Sequence, residues 1–336
     1  MTKTLGFGII GVGRFGKNYI RNIKNLHGTK LIAIAGKSQN SFNKISSEIP
    51  DKVIKAKDAS EILENKDVDC VVIATPPSTH FQIAKQAIEA GKHVLLEKPM
   101  VKNIHEAKQL KKIVGKSKKV FMVGHQYLYN DHINFLKSQI QNNHIGKMAF
   151  VASEYLYPEP MRYDIGCLWD AGTHILSILQ YLFDPGRITK VQGKSFQLLD
   201  KGFDDFNIVA FEFENGLKAS IVVSWIYPEK TRRVVLLGEK KTAIFDEILE
   251  KDKLRFYDRI PLDKINTSVY NHVKGYVPEI KYHSPSIKAG EPLHNELMHF
   301  IDCIRKNKEP LTNMEHSFQI TEWLDKISRE IKIPGY

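Results

Sequence analysis

Three residues are the natural candidates for chemistry in this chain: Lys98, Asp170 and His174. Lys98 ends the apolar run Val94-Leu95-Leu96 through Glu97-Lys98-Pro99. Such a run suits a parallel strand covered on both faces. Pro99 has no backbone N–H and stops the ladder. Lys98 is therefore expected at the carboxyl end of a parallel sheet, where open α/β sheets bind ligands. An ammonium fixed there polarises or protonates a substrate oxygen. The tripeptide alone also fits a solvated lysine at a strand end. Asp170 and His174 precede a predicted helix with Ile175, Ile178, Leu179 and Leu182 inward, so they share a face if both lie in its first turn. A helix amino terminus disfavours imidazolium, leaving His174 neutral and able to accept a hydroxyl proton. Asp170 would then orient the imidazole or bond a sugar ring. The competing reading is an N-cap aspartate and a packed first-turn histidine.

The element that would position a reaction partner for these groups lies at the start of the chain. Residues 5–10 read as a strand, followed by Gly11-Val12-Gly13-Arg14-Phe15-Gly16 and a helical stripe of Phe15, Tyr19, Ile20, Ile23 and Leu26. Gly-x-Gly-x-x-Gly between strand and helix is a dinucleotide-binding pattern. Gly11 permits the turn, Gly13 the approach of a pyrophosphate, and Gly16 close helix–strand packing. After the next strand, residues 31–35, the position that often carries a ribose-binding acid holds Gly36, followed by Lys37 and Ser38. Lys37 and Ser38 can hold a 2′-phosphate by charge and hydrogen bond, which puts NADP(H) ahead of NAD(H).

Further strands are expected at residues 68–74, 93–97 and 119–123, with helices between them. Thr75-Pro76-Pro77-Ser78-Thr79-His80 leads into a helix capped by Ser78 or Thr79 and closed by Gly91, and residues 103–114 form another helix. Gly124-His125-Gln126 marks the junction. The organisation is a dinucleotide-binding domain over residues 1–123 and a substrate-binding and oligomerisation domain over 124–336. In the second half, strands are expected at 148–155, 191–198, 206–213, 217–225, 233–237 and 242–245, with a hairpin turn at Glu214-Asn215-Gly216. The fold class is α/β: an N-terminal doubly wound parallel sheet of Rossmann type, then an α+β domain with a mostly antiparallel open sheet. Residues 257–290 are polar and interrupted. They read as a surface loop, with Tyr270, His272, Tyr276, Tyr282 and His283 the only candidates there for a cleft lining. Helices are expected at 294–304 and 314–331.

Bulk properties narrow the class. The chain has 336 residues and a formal charge of +11, from 49 basic and 38 acidic residues. The lysines are interspersed with acids, and there is no basic tail, zinc spacing or RNA-binding aromatic motif, so no nucleic-acid partner is expected. Attraction for anionic ligands is a milder implication. Cys70, Cys167 and Cys303 are far apart, which suggests neither a metal site nor a disulfide framework. No leader or membrane span is evident, and the cytoplasm is the expected compartment.

The three motifs Gly11-Val12-Gly13-Arg14-Phe15-Gly16, Val71-Val72-Ile73-Ala74-Thr75-Pro76-Pro77-Ser78-Thr79-His80 and Glu97-Lys98-Pro99 resemble, in order and spacing, the Gfo/Idh/MocA oxidoreductases. The resemblance implies a nicotinamide cofactor and a catalytic role for Lys98, whose bond to Pro99 is often cis in that family. It implies cofactor contacts at Gly11, Gly13, Arg14, Phe15, Gly16, Thr75, Pro76, His80 and Glu97, and a polar residue facing the nicotinamide at Gln126. Asp170-x-x-x-His174 is similar to the family's second catalytic motif. With Arg162, Asp164 and Trp169 before it, the longer form resembles members acting at C3 of nucleotide-linked sugars, and so implies substrate contacts at Arg162, Asp164, Asp170 and His174. Gly166 and Ala171-Gly172-Thr173 depart from the Asn and Leu-Ala-Pro common there. The family also implies a homodimer or homotetramer formed through the second sheet. An inositol or free-sugar dehydrogenase is the runner-up, and a cofactor-sensing regulator without catalysis the alternative of another class.

Overall fold

The computed structural model describes residues 3–43, 45–50, 52–158, 162–199, 202–258 and 281–334. Six parallel strands make the first layer: β1 (Leu5–Ile10), β2 (Thr29–Ala35), β3 (Ile54–Ala56), β4 (Cys70–Ile73), β5 (His93–Glu97) and β6 (Phe121–Gly124). Their order is β3-β2-β1-β4-β5-β6. The connections carry α1 (Gly16–Asn25), α2 (Gln39–Asn43), α3 (Ala59–Glu64), α4 (Pro77–Glu89) and α5 (Ile104–Val114). Strand order reverses beside β1, so a crevice opens where β1 and β4 end, as the switch-point rule requires. Every residue of β1 and β4 is buried, because helices cover both faces of the sheet.

The second half contains α6 (Asp131–Gln141), β7 (Met148–Pro158) and α7 (Thr173–Phe183). Seven strands follow: β8 (Ile188–Phe196), β9 (Phe206–Phe213), β10 (Lys218–Ser224), β11 (Ile226–Gly238), β12 (Lys241–Asp246), β13 (Leu254–Asp258) and β14 (Tyr282–His283). The sheet order is β14-β13-β12-β11-β7-β10-β9-β8. Only β7 and β10 pair in parallel; the other pairings are antiparallel. Inward residues such as Val151, Ala219, Val209 and Phe211 pack with Ile175, Ile178 and Leu179 of α7 in one core. The chain ends in α8 (Pro292–Lys306) and α9 (Met314–Glu330). Leu293, Leu297 and Phe300 of α8 join the core around β1 and α1, so the chain returns to its first layer.

Three local expectations need correcting. Neither Ser78 nor Thr79 caps α4: Pro76 is the N-cap residue and Pro77 the first helical position, where a missing N–H costs nothing. The helix bearing His174 starts earlier than its apolar stripe, because a π-helical turn at Leu168–Gly172 runs directly into α7. Asp170 is therefore not an N-cap but sits inside that turn. Tyr282 and His283 are not loop residues: they form the exposed edge strand β14 against β13. Tyr270, His272 and Tyr276 lie outside the described residues.

The glycine turn after β1 is sterically fixed. Gly11 has φ +102°, and a Cβ on Gly16 would sit 2.0 Å from the Gly11 carbonyl oxygen. A Cβ on Gly13 would meet nothing within 4 Å. Gly16→Ala should thus destabilise the protein by about 1–3 kcal/mol through forced backbone movement. Gly13→Ala should leave stability unchanged. Urea unfolding of the two variants measures the contrast, and equal losses would contradict it.

Candidate active site

Lys98 leaves β5 at the sheet's carboxyl end, and its bond to Pro99 is cis. Its ammonium donates to Asp170 Oδ1 at 2.7 Å and to the Asp170 carbonyl at 3.1 Å. An ammonium has three N–H donors, so one is left for the cleft that Lys98 lines. Both side chains of the pair are only 7% exposed. Burial draws the Lys98 pKa down from the usual lysine value, and Asp170 opposes that fall. Burial also resists ionisation of Asp170, but Lys98 and Arg162 overcome it and hold the carboxyl at about 2. The Arg162 Nε lies 3.4 Å from Asp170 Oδ1, and the Tyr157 hydroxyl donates to Oδ2 at 3.4 Å. Arg162, Asp170, His174 and Lys98 thus converge as expected, on one cleft running from Gly13 to His174.

His174 is neutral, though not for the reason its helix position suggested. Burial comes first, followed by the positive charges of Lys98 and Arg232; together they push its pKa well below the usual histidine value. Its Nδ1 is buried without a partner among the described residues, so Nε2 is the nitrogen available to a ligand. The ring stacks on Tyr155 with centroids 5.1 Å apart and 18° between planes, and Tyr127 meets it edge-on at 5.1 Å. Arg232 covers Tyr155, with its guanidinium carbon 4.6 Å from the ring centroid. Glu247 accepts hydrogen bonds from both Arg232 Nη1 and the Tyr127 hydroxyl, tying this cage together. Sequence reasoning missed Tyr155, Tyr157, Lys230 and Arg232 in the cleft wall. The two tyrosines were within reach, since period-two spacing puts them on one face of β7.

The turn carrying Asp170 is anchored by Asp204, which is fully buried. Asp204 Oδ2 accepts from the Leu168 N–H at 2.8 Å and from Asn207 Nδ2 at 2.7 Å. A Cβ on Gly166 would stand 1.6 Å from Asp204 Oδ1. The glycine at 166 is therefore what gives this carboxylate its place, and the carboxylate fills the volume a larger side chain would take.

The glycine turn fits a dinucleotide. No side chain caps α1, and the open side of Gly13 lines both the catalytic cleft and an adjoining one. The adjoining cleft is bounded by Gly36, Lys37, Ser41, Lys57, Asp58 and Thr75. A Cβ at Gly36 would meet Val12 at 2.6 Å, so an acidic side chain has no room there. Ser38 does not line this cleft; its hydroxyl meets Ser41 Oγ at 3.1 Å. Arg14, Phe15, Thr75, Pro76, Glu97 and Gln126 line the catalytic cleft. Gly11 lines the adjoining one, while Gly16 packs behind the turn. Glu97 Oε1 also accepts from Tyr19 at 2.7 Å, and burial raises its pKa.

Two residues expected at the ligands are struts instead. His80 is wholly buried between the Thr75 and Pro99 carbonyl oxygens, each 2.9 Å from a ring nitrogen. It fixes the two loops that follow β4 and β5 rather than reaching into the cleft. Asp164 Oδ2 accepts from the Ser78 N–H at 3.0 Å, serving the α4 terminus that its own side chains leave uncapped. That bond fastens the loop bearing Arg162 to the first domain.

Comparison with known proteins agrees with this geometry. Residues 5–125 match the family described as "Oxidoreductase family, NAD-binding Rossmann fold", and residues 133–244 match the GFO/IDH/MocA C-terminal domain. The chain belongs to the Gfo/Idh/MocA oxidoreductase family. An uncharacterized oxidoreductase of Bacillus subtilis (strain 168), YrbE, is 28% identical over 257 residues, covering 73% of this chain and 72% of that protein. The scyllo-inositol 2-dehydrogenase (NAD(+)) of the same organism is 23% identical, covering 90% and 87%. The structure of UDP-N-acetylglucosamine 3-dehydrogenase from Acidithiobacillus ferrooxidans superposes with TM-score 0.82 at 20% identity, covering 99% and 98%. At that identity the likeness is one of fold. The homology supports a nicotinamide cofactor.

Removing half of a buried ion pair strands the other charge. Asp170→Ala should therefore destabilise the protein by about 3–5 kcal/mol, and adding Lys98→Met should restore part of that loss. Denaturant unfolding of wild type, single and double variants decides it. A double variant no more stable than the single one would contradict the coupling. The folded carboxyl is held near 2, below its unfolded value of 3.8, so its stabilisation is complete above the unfolded value. It disappears as pH falls through the folded one.

Proposed function

We propose that this protein transfers hydride between a nicotinamide cofactor and a secondary alcohol or ketone of a sugar, with a nucleotide-linked sugar the first substrate class to test. The observation that carries the reading is the placement of Lys98. Its ammonium is oriented by Asp170, retains a donor for the cleft, and shares that cleft with His174 and the glycine turn. A cofactor-sensing regulator would need the glycine turn but not this oriented group. The bound nicotinamide supplies the hydride acceptor or donor. The protein's own residues handle the proton and the substrate oxygen. In the oxidising direction, the spare N–H of Lys98 bonds the substrate oxygen and stabilises the charge that grows as its proton leaves. His174 Nε2, neutral and facing the cleft, takes that proton. Asp170 keeps the ammonium aimed at the oxygen. In the reducing direction the same groups return the proton.

Support for the finer substrate reading comes from the sequence around Asp170 and from the fold shared with the nucleotide-sugar dehydrogenase. A free polyol is the second reading, favoured by the inositol dehydrogenases among the relatives. NADP(H) is proposed ahead of NAD(H), because position 36 carries no acid and Lys37 and Lys57 border the adjoining cleft alongside Asp58. A homo-oligomer formed through the second sheet is proposed as well. On that sheet Ala210, Ser220, Ala152, Val235 and Ile244 fall in one cross-strand row. Ile208 and Leu237 are exposed, at 48% and 39%. No helix of the described residues is long and apolar enough to cross a membrane, and a cytoplasmic location is proposed.

The test is cofactor reduction, followed by its near-ultraviolet absorbance, with each oxidised cofactor and with nucleotide sugars, free sugars and cyclitols. Wild type is expected to turn over at least one of these, with NADP preferred. Lys98→Met should lose about 100-fold or more in kcat while still binding cofactor. Equal turnover by that variant would overturn the reading. The depressed His174 pKa fixes the sign of the pH response. Oxidation should remain near its plateau as pH falls through about 6.5, the ordinary histidine value, and decline only below it. An acid limb at or above that value would contradict the role given to His174.

A further inference from the structure

Behind the catalytic cleft lies a buried cluster of titratable groups that the chemistry above does not use. Tyr19 of α1 places its hydroxyl oxygen 2.7 Å from Glu97 Oε1 and 3.1 Å from Glu296 Oε1 of α8. Tyr19 and Glu296 are wholly buried, and Glu97 is 8% exposed. A phenol has a single O–H to donate. It cannot serve two ionised carboxylates at once, and an ionised carboxylate left without a donor in a dry site is strongly disfavoured. One of the two carboxyls therefore carries a proton of its own, which it donates to the Tyr19 oxygen. Strand β6 meets the trio at Gly124, where a Cβ would stand 3.3 Å from the hydroxyl and 3.5 Å from each Oε1.

The surroundings decide which carboxyl holds the proton. Glu97 Oε2 accepts from the Lys98 N–H at 3.1 Å, and the charges of Lys98 and Arg162 favour its ionised form. Glu296 Oε2 has no partner among the described residues. The groups that act on Glu296 are Glu97 and Tyr19, and Tyr129 faces it from the turn after β6. None of these is a cation. Burial and Glu97 accordingly push the Glu296 pKa well above the usual carboxylate value. Tyr19 keeps its own proton, because burial and the two carboxyls raise its pKa. Resting on the dehydrogenase reading, we propose that Glu296 is a neutral acid that leaves the single Tyr19 proton to Glu97, which is thereby kept ionised at the cleft wall for cofactor binding. Glu97 lines the cleft together with Gly13, Lys98 and Gln126. The oxidised nicotinamide ring is a cation, so an ionised carboxyl in that wall attracts it where a neutral one does not. Tyr19 is then a positioning residue, acting on the cleft only through Glu97.

The experiment has two readouts on the full-length protein. The first is the infrared difference between wild type and Glu296→Gln at neutral pH. It should contain the carbonyl stretch of a neutral carboxylic acid; other buried acids with raised pKa, Asp204 among them, cancel in the subtraction. A difference spectrum without that band would mean an ionised Glu296 and would overturn the inference. The second is the affinity for NAD+ and NADP+, followed across pH by calorimetry. Affinity should fall on the acid side as Glu97 takes up a proton. In Tyr19→Phe, Glu97 loses a donor that lowers its pKa, so the acid limb should move to higher pH by about one unit. Glu296→Gln still offers an N–H to the Tyr19 oxygen, and its limb should coincide with that of wild type. A limb unmoved in Tyr19→Phe, or displaced in Glu296→Gln, would overturn the inference. Neither readout needs turnover, which keeps the two readings apart. Sugar oxidation without the neutral-acid band would sink this inference and leave the dehydrogenase standing. The band and the displaced limb in a protein that oxidises no sugar would do the reverse.

Discussion

The buried ion pair between Lys98 and Asp170 is the interaction on which the rest of the site depends. It joins a strand end of the first domain to a helical turn of the second across 72 residues of sequence. Desolvating two charges is costly, and the pair is tolerated only because each group has further partners. Asp170 has Arg162 and Tyr157 nearby, and Lys98 donates to a carbonyl as well as the carboxylate. The same geometry that makes the pair tolerable leaves a single ammonium donor for a substrate. Structure and chemistry are thus one constraint: the groups that keep the lysine charged also aim it.

A further bond joins the two halves, and others brace the segments around the pair within each half. Asp164 fastens the Arg162 loop to the start of α4, and His80 bridges the loops after β4 and β5. Asp204 holds the turn that presents Asp170, in space that Gly166 leaves vacant. Glu247 ties Arg232 and Tyr127 around the stacked Tyr155 and His174. None of these side chains has to touch a ligand to matter. Each fixes a backbone segment or ring whose displacement would loosen the alignment of Lys98 and His174.

How much of this was legible in the sequence depended on the range of the cause. The glycine turn, the Glu97-Lys98-Pro99 strand end and most strands of both sheets are local patterns, and their residues alone determine them. His174 was correctly expected to be neutral, yet the physical cause is burial among cations rather than a helix terminus. That difference could not be read, because Lys98 and Arg232 reach His174 through tertiary packing. Asp164 was expected at the substrate and instead serves the α4 terminus; a carboxylate beside other site residues looks the same either way until its partner is known. Asp204, Glu247 and Lys230 gave no signal, since a single charged residue in or beside a strand normally reads as a solvated face. Gly166 gave a signal only as a departure from the related pattern, and its meaning required Asp204 alongside it.

The most direct test of the account is a crystal structure of the protein with a nicotinamide cofactor bound. The account predicts the pyrophosphate at the Gly11–Gly16 turn and the nicotinamide ring between that turn and the Lys98–His174 end of the cleft. Lys98 should keep its bond to Asp170. A nicotinamide ring directed away from Lys98, or a Lys98 ammonium that abandons Asp170 in the complex, would contradict the claim that this pair organises the reacting site.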